Sequence, residues 1–340
     1  MEQNVAAAES LFGASSGRWA TAALKAEFAK TGRIATSALR TLDTLRHEEW
    51  KFFDDALVAE AVIRLVGVGD LIAAGLTRNV PNALGKTVFG YEQITNMDAA
   101  SISLDGISRT ANDRQEFNLN QLPLPITHKD FFINLRQLTT SREKGEPLDT
   151  TGARQAGRRV AESLEFMLFQ GGPVFGGLPL YGYTTFPDRK QGNFDGHKHW
   201  GDPSKAGTSY LTDVLNAFKT LQAVTNRMYG PYTIYVPADA GVVINNDYNP
   251  GTANIQSIRN RLLQIEGVNG IRVADQLPSG NVVIKQDTVD VAAWVQGEPL
   301  QTVQWDEYGG FQINFKAFAI GIPLMRSDAA HRCGIYHLNG

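Results

Sequence analysis

Apolar residues recur at helical spacing in several stretches of the chain and alternate or run together in others. Trp50, Phe53, Leu57, Val58, Ala61 and Leu65 form one helical stripe, with Asp43 or Thr44 placed to cap its start and Gly67 and Gly69 to end it. After Pro147, Asp149 or Thr150 can cap a long helix over 153–170. Its buried stripe is Ala156, Val160, Leu164, Met167 and Leu168; Arg154, Arg158 and Arg159 fall on other faces, and Gly171-Gly172 stops it. Leu211, Val214, Leu215, Phe218, Leu221 and Val224 predict a further helix, and another is expected over 255–265. Residues 131–135 read as a strand, as does the buried run 232–236, which Pro237 closes. Short strands are expected at 270–274, 282–285, 289–295 and 302–304, and a long one at 311–325. Helices first, then a mixture, then strands: this order predicts an α+β protein with a central sheet and flanking helices.

Some stretches do not fit a self-contained core. Residues 85–120 alternate weakly, as in Ser101-Ile102-Ser103-Leu104, with the turn signal Asp105-Gly106 and few large apolar side chains. A long two-stranded excursion of this kind is marginal in water: unless it is disordered, it must lean on something outside its own domain. Residues 1–17 are small and polar, and are expected to be mobile or to order only against a partner. Residues 18–46 carry six cationic side chains (Arg18, Lys25, Lys30, Arg33, Arg40, Arg46) against Glu27 and Asp43, with sparse apolar residues. That is the composition of an arm laid over another surface. Residues 172–208 form a Gly- and aromatic-rich segment without periodicity, too long for a routine connector.

Composition narrows the function classes. With 340 residues and 43% apolar content the chain can build a substantial core. A net charge of −3 lacks the positive field of a dedicated nucleic-acid binder. The single cysteine, Cys333, cannot form an internal disulfide. No basic-then-apolar leader opens the sequence, and the segment 58–72 carries Glu60, Arg64 and Asp70, so neither a secretory signal nor a membrane span is expected.

Candidate chemistry is thin. Val80 to Thr87 resembles a phosphate-binding loop, but Val80 stands where the motif needs glycine, and a plain loop is the better reading. His197-Lys198-His199, flanked by Asp195 and Asp202, offers metal-type ligands on an extended segment, with no second cluster to complete a site. Asp54-Asp55 and Asp306-Glu307 are adjacent carboxylates whose side chains diverge, which suits surface charge. Arg332 could lower the Cys333 thiol pKa, yet no placed histidine or acid accompanies it. The expectation is a non-enzyme without cofactor or metal; the competing enzymatic reading is a hydrolase or metal enzyme using His197 and His199.

Several segments together resemble a known family. Leu45 to Asp55, an acidic and aromatic helix start, resembles the beginning of encapsulin shell proteins. Leu122-Pro123-Leu124-Pro125-Ile126 with Phe131-Phe132-Ile133 resembles the strand after their extended loop, and Leu148 to Gly171 resembles their spine helix. Encapsulins share the Hong Kong 97-type fold with the major capsid proteins of tailed bacteriophages. The resemblance therefore implies that α+β capsid fold, with an N-terminal arm (1–45), a lead-in helix (46–84) and an extended hairpin loop (85–120). A peripheral domain follows at 121–230, carrying the spine helix 153–170 and the insertion 172–208. An axial domain at 231–300 and a return to the peripheral domain at 301–340 complete it. About forty extra N-terminal residues and the insertion depart from encapsulins and suit a virus capsid better.

The function so implied is a structural subunit that forms pentamers and hexamers of an icosahedral shell around double-stranded DNA, assembled in the host cytoplasm and resident in the virion. Scaffold, portal and cement or decoration proteins are the implied partners, with no membrane. The alternative is an encapsulin-like compartment binding a cargo protein. Inter-subunit contacts are expected on the hairpin at Glu92, Asp98, Asp105, Arg109, Arg114 and Glu116, where opposite charges can set register with a neighbour. The arm residues Arg18, Lys25, Lys30, Arg33 and Arg40 are expected to face DNA phosphate, by non-specific contact, or a neighbouring subunit.

Overall fold

The computed structural model describes residues 47–94, 102, 104, 117–144, 150–249, 256–308 and 311–340. The helix stripe beginning near Trp50 becomes α1 (His47–Arg64), and the 153–170 expectation becomes α4 (Thr151–Gln170). Between them lie α2 (Gly67–Ala73), β1 (Thr77–Asn79), β2 (Val88–Ile94), β3 (Phe117–Pro123), β4 (Ile126–Asn134) and α3 (Leu135–Lys144). Then come β5 (Gly172–Phe175), β6 (Leu178–Leu180), β7 (Lys190–Gly192), α5 (Gly207–Leu221), β8 (Tyr232–Val236), α6 (Ala238–Val243) and α7 (Ile258–Leu263). The remainder is β9 (Val268–Val273), β10 (Asn281–Gln286), β11 (Ala292–Glu307), β12 (Gln312–Met325) and β13 (Ile335–Asn339).

Two sheets organise these strands. One has the order β1-β11-β12-β4 and the other β7-β13-β10-β8-β9; two hairpins, β2-β3 and β5-β6, stand apart. By packing the described residues divide into two compact units, one drawn from 47–61, 128–159 and 300–318 and a larger one drawn from 62–127, 160–299 and 319–340.

In the first unit Ile133, Leu138, Ala153, Ile313 and Phe315 form a small core, and Phe131 stacks on Phe315 at 5.1 Å between ring centroids. Gly157 lets α4 press onto α1, because a Cβ there would lie 2.6 Å from the Leu57 carbonyl oxygen. An exposed helical Gly→Ala change gains about 1 kcal/mol in propensity. Here the obstacle is backbone, which cannot swing away, and overpacking of about 1–3 kcal/mol wins. Gly157→Ala should therefore lower stability by up to about 2 kcal/mol, seen as a lower urea midpoint at unchanged slope.

The larger unit holds the main core, which α5 shares with β8, β10 and β13. Tyr210, Val214 and Leu221 of α5 pack with Ile234, Val282, Ile284 and Leu338. All five residues of β8 are buried, the continuous apolar run of a strand covered on both faces.

Three expectations need correction. Gly67 and Gly69 do not simply end a helix: Gly67 opens α2, because its bare Cα fits against α4, where a Cβ would meet Leu168 at 2.8 Å. The strands expected at 289–295 and 302–304 are one strand, β11, running through Gly297 and Pro299. β1 covers only Trp294 to Gln296, so Pro299 sits where the strand has a single neighbour and its missing N–H is tolerated. The segment 172–208 is not a bare loop. It contains β5, β6 and β7 and buries Tyr183, Phe186, Phe194 and Trp200.

That segment also closes the end of α4. The last carbonyls of a helix lack internal partners. Tyr183 and Thr184 N–H groups donate to Leu168 and Phe169 carbonyls at 2.9 Å, and the Thr185 hydroxyl donates to Gln170 at 3.1 Å. Gly171 and Gly182 meet back to back at this point, too close for any side chain.

Candidate assembly surface

The hairpin β2-β3 is the first place to look for function. Its strands pair antiparallel from Val88↔Pro123 to Ile94↔Phe117. Phe89, Tyr91 and Gln93 are half-buried on one face, while Gly90 and Glu92 are exposed on the other, the alternation of a half-covered strand. The base of the hairpin is fastened to the residues after β12. Arg326 donates to the Glu92 carbonyl at 2.9 Å and lies over the Tyr91 ring, and the Gln93 amide donates to the Ser327 carbonyl at 3.0 Å. Opposite Glu92, Leu119 is an exposed apolar side chain, and Ile102 and Leu104, between the two strands in sequence, are completely exposed. Of the expected contact residues, Glu92 is exposed on β2. Asp98, Asp105, Arg109, Arg114 and Glu116 lie outside the described residues, as do Arg18, Lys25, Lys30, Arg33 and Arg40 of the arm.

A cleft of about 300 Å³ opens beside the hairpin base, lined by Tyr91, Asn120, Tyr181, Phe186, Asp188 and His331 among others. Asp188 accepts from the Ser327 hydroxyl with one oxygen and contacts His331 Nδ1 at 2.9 Å with the other. A serine nucleophile needs the imidazole itself as its base. Here both groups bind the carboxylate separately, so the trio orders the wall of the cleft.

A second exposed apolar feature was missed at the sequence level. The hairpin β5-β6 turns through Gly176 and Gly177, both at positive φ, and exposes Val174 (63%) and Phe175 (42%). A glycine pair after Pro-Val-Phe was the available signal.

The weaker chemical candidates resolve on geometry. His197 has φ 55° in a tight turn at Asp195–His197, so it and His199 do not share one side of an extended segment. His199 Nδ1 accepts from the Gly201 N–H at 3.1 Å. Among the described residues no group of three or more His, Cys, Asp or Glu is placed to hold a metal ion. Val80 to Thr87 forms a short turn at Ala83–Gly85 leading into β2, with no helix to receive a phosphate. Cys333 is fully buried, and burial pushes its thiol up to about 12, overriding any help from Arg332, which pairs with Asp328. Asp306 and Glu307 are exposed, and Glu307 accepts from the Trp305 indole at 3.1 Å.

Residues 38–306 match the profile of a family described as a family of unknown function, DUF6260. The chain belongs to that family. Among solved structures, the DUF6260 chain is similar to a virus-like particle from Pyrococcus furiosus, with a TM-score of 0.60 at 16% identity over 86% of this chain and 100% of that one. It is also similar to the capsid of Myoviridae Phage XM1, with a TM-score of 0.59 at 11% identity over 81% and 92% of the two chains. The fold is therefore the Hong Kong 97-type capsid fold, mixed helix and sheet as the element order implied. A curated relative, the type 1 encapsulin shell protein EncA of Myxococcus xanthus (strain DK1622), is 26% identical over 130 residues. That match spans 37% of the DUF6260 chain and 42% of the relative, less than half of either. No helix among the described residues is long and apolar enough to cross a membrane.

Proposed function

We propose that this chain is the major capsid protein of a tailed bacteriophage, assembling with itself into pentamers and hexamers of an icosahedral shell around double-stranded DNA. The observation that carries the reading is the capsid fold extending over more than four-fifths of the chain. Exposed apolar side chains on both hairpins are surfaces that neighbouring subunits can cover. The work is mechanical, and the residues that matter are those at subunit contacts, the hairpin charges from Glu92 to Glu116 foremost. The basic arm, through Arg18, Lys25, Lys30, Arg33 and Arg40, faces DNA phosphate or the acidic surface of a neighbour. A separate motor loads the DNA through a portal, so a subunit with net charge −3 is no obstacle; scaffold and cement proteins complete the partner set.

The second reading is an encapsulin-like compartment that encloses a cargo protein, favoured by the partial match to the Myxococcus xanthus shell protein. Electron microscopy of the expressed protein, with and without a scaffold partner, tests both. Closed hollow particles are the expected result, and a monodisperse monomer or dimer at high concentration would sink both readings. Particles from the native host containing nuclease-protected double-stranded DNA support the capsid; particles enclosing one protein species support the compartment.

A further inference from the structure

The larger unit contains a buried base that shell building does not call upon. His337 sits in the middle of β13, between β7 and β10, and is 4% exposed. Hydrogen-bond geometry fixes what each ring nitrogen does. Arg189 Nε donates to His337 Nδ1 at 3.3 Å. A guanidinium can only donate, so Nδ1 presents a lone pair and carries no proton. On the other side Nε2 lies 2.8 Å from Asn281 Oδ1. The amide nitrogen of Asn281 is turned away, donating to the Pro278 and Ser279 carbonyls at 3.1 Å, so its oxygen is the atom that meets the ring. Nε2 therefore bears the proton, and the imidazole is neutral.

The same arginine ties down the approach to β7. Its terminal nitrogen donates to the Phe186 carbonyl at 2.8 Å, and β7 begins at the next residue. β7 is an edge strand of three residues with β13 alone beside it. So short a strand has few bonds of its own to hold it in place.

We propose that His337 and Arg189 form an acid-released clasp, which keeps β7 on β13 while the imidazole is neutral and lets go when the ring takes a proton. A proton on Nδ1 fills the lone pair that Arg189 uses and sets two cations against each other beside a buried ring. The charged groups on the elements around it are already engaged. Asp188 is taken by Ser327 and His331, Lys190 of β7 donates to the His331 carbonyl, and Lys285 of β10 is paired with Asp287. Tyr336 and Leu338, on the opposite face of β13, belong to the main core, so the clasp can open without it. Phe186, Pro187 and Asp188, just ahead of β7, wall the cleft at the hairpin base. Acid therefore loosens that wall.

Burial, with the Arg189 charge adding to it, pushes the His337 pKa down from 6.5 to about 4. When β7 lifts off, the ring is hydrated and returns towards its ordinary value. The open state thus binds more protons between the two values. The clasp is at full strength above about pH 6.5 and is lost as pH falls to about 4.

Hydrogen exchange of the backbone amides at 189–192 in the full chain, corrected for the intrinsic chemical rate, tests the clasp. Protection should fall on the order of fifty- to a hundredfold from pH 7.5 to pH 4.5, the ratio that two such pKa values set. His337→Asn, which keeps an acceptor for Arg189 but no basic nitrogen, should remove most of that dependence. His331→Gln, which removes the exposed histidine nearby, should retain it. Protection that does not fall with acid in the native chain, that falls equally in His337→Asn, or whose fall vanishes in His331→Gln would overturn the proposal. Should His337→Asn not fold, deuterium exchange at the imidazole C2 position of the native chain decides. Mass spectrometry reads it in the tryptic peptide 333–340, where His337 is the sole histidine. A ring midpoint below roughly 5.5, a full unit under the ordinary value, with β7 protection lost as the ring charges, supports the clasp. A higher midpoint, or protection lost without the ring charging, rejects it.

Discussion

Replacing Lys205 by methionine should cost the fold about 3–5 kcal/mol, the loss expected when one partner of a buried ion pair is removed. Lys205 Nζ and Asp213 Oδ2 are 3.1 Å apart, and both side chains are 1% exposed. The ammonium also donates to the carbonyls of Asp195 at 3.0 Å and Lys198 at 2.8 Å, and it lies 5.5 Å from the ring centroids of Phe194 and Tyr210. Asp213 in turn accepts from the Trp200 indole and the Asp195 N–H, each at 2.7 Å. Methionine fills much the same volume, so the loss is electrostatic: Asp213 would be left charged, buried and uncompensated. Burial already raises the Asp213 pKa, against the pull of its donors and Lys205. Without the cation the folded value rises further above the unfolded one. The deficit should therefore be full at neutral pH and shrink as pH falls towards the ordinary carboxylate range. Urea unfolding of the variant at pH 7 and pH 4.5 reads both effects, and a loss below 1 kcal/mol at pH 7 would show that the pair is not structural.

Excising residues 95–116 should abolish closed shells while leaving a folded subunit. Ile94 and Phe117 are cross-strand partners, so an Asn-Gly turn can join them without disturbing the register of β2 and β3. The ties of the hairpin base, Arg326 to Glu92 and Gln93 to Ser327, remain in place. What goes is the segment between the two paired strands, with Ile102, Leu104 and most of the expected contact charges. Circular dichroism and thermal melting should match the native chain, while sedimentation and electron microscopy should show small oligomers only. Normal particles would mean that the hairpin is not a clasp between subunits.

The sequence reading succeeded where one periodic stripe maps onto one element. The long helix was legible from Ala156 to Leu168, and β8 from five consecutive apolar or β-branched residues. It failed where burial comes from turns. Trp200 and Phe194 are buried because Asp213, on a helix beginning seven residues after Trp200, accepts from the Trp200 indole and the Asp195 amide. Such long-range polar anchoring leaves no period to find. It failed again at Gly67, where a glycine that looks like a stop is a point of close approach. At β12 the expectation of a long strand at 311–325 held almost to the residue, since Phe315, Phe318, Ile320, Ile322 and Leu324 leave little choice. For the functional surface, charge and turn signals marked the hairpin, but the cleft at its base draws on side chains from four separate stretches of the chain. No single stretch carries that information.

The way the end of α4 is closed has a consequence for how this chain can vary. The strands β5 and β6 leave the helix at Gly171 and return to it at Gly182, where Tyr183 and Thr184 bond its last turn. The hairpin is thus a detour with both ends pinned to one spot. Lengthening such a detour twofold adds only about 0.6 kcal/mol of closure entropy. Its tip at Gly176-Gly177 is therefore a place where sequence can drift, grow or accept a foreign peptide while the framework around it stays put.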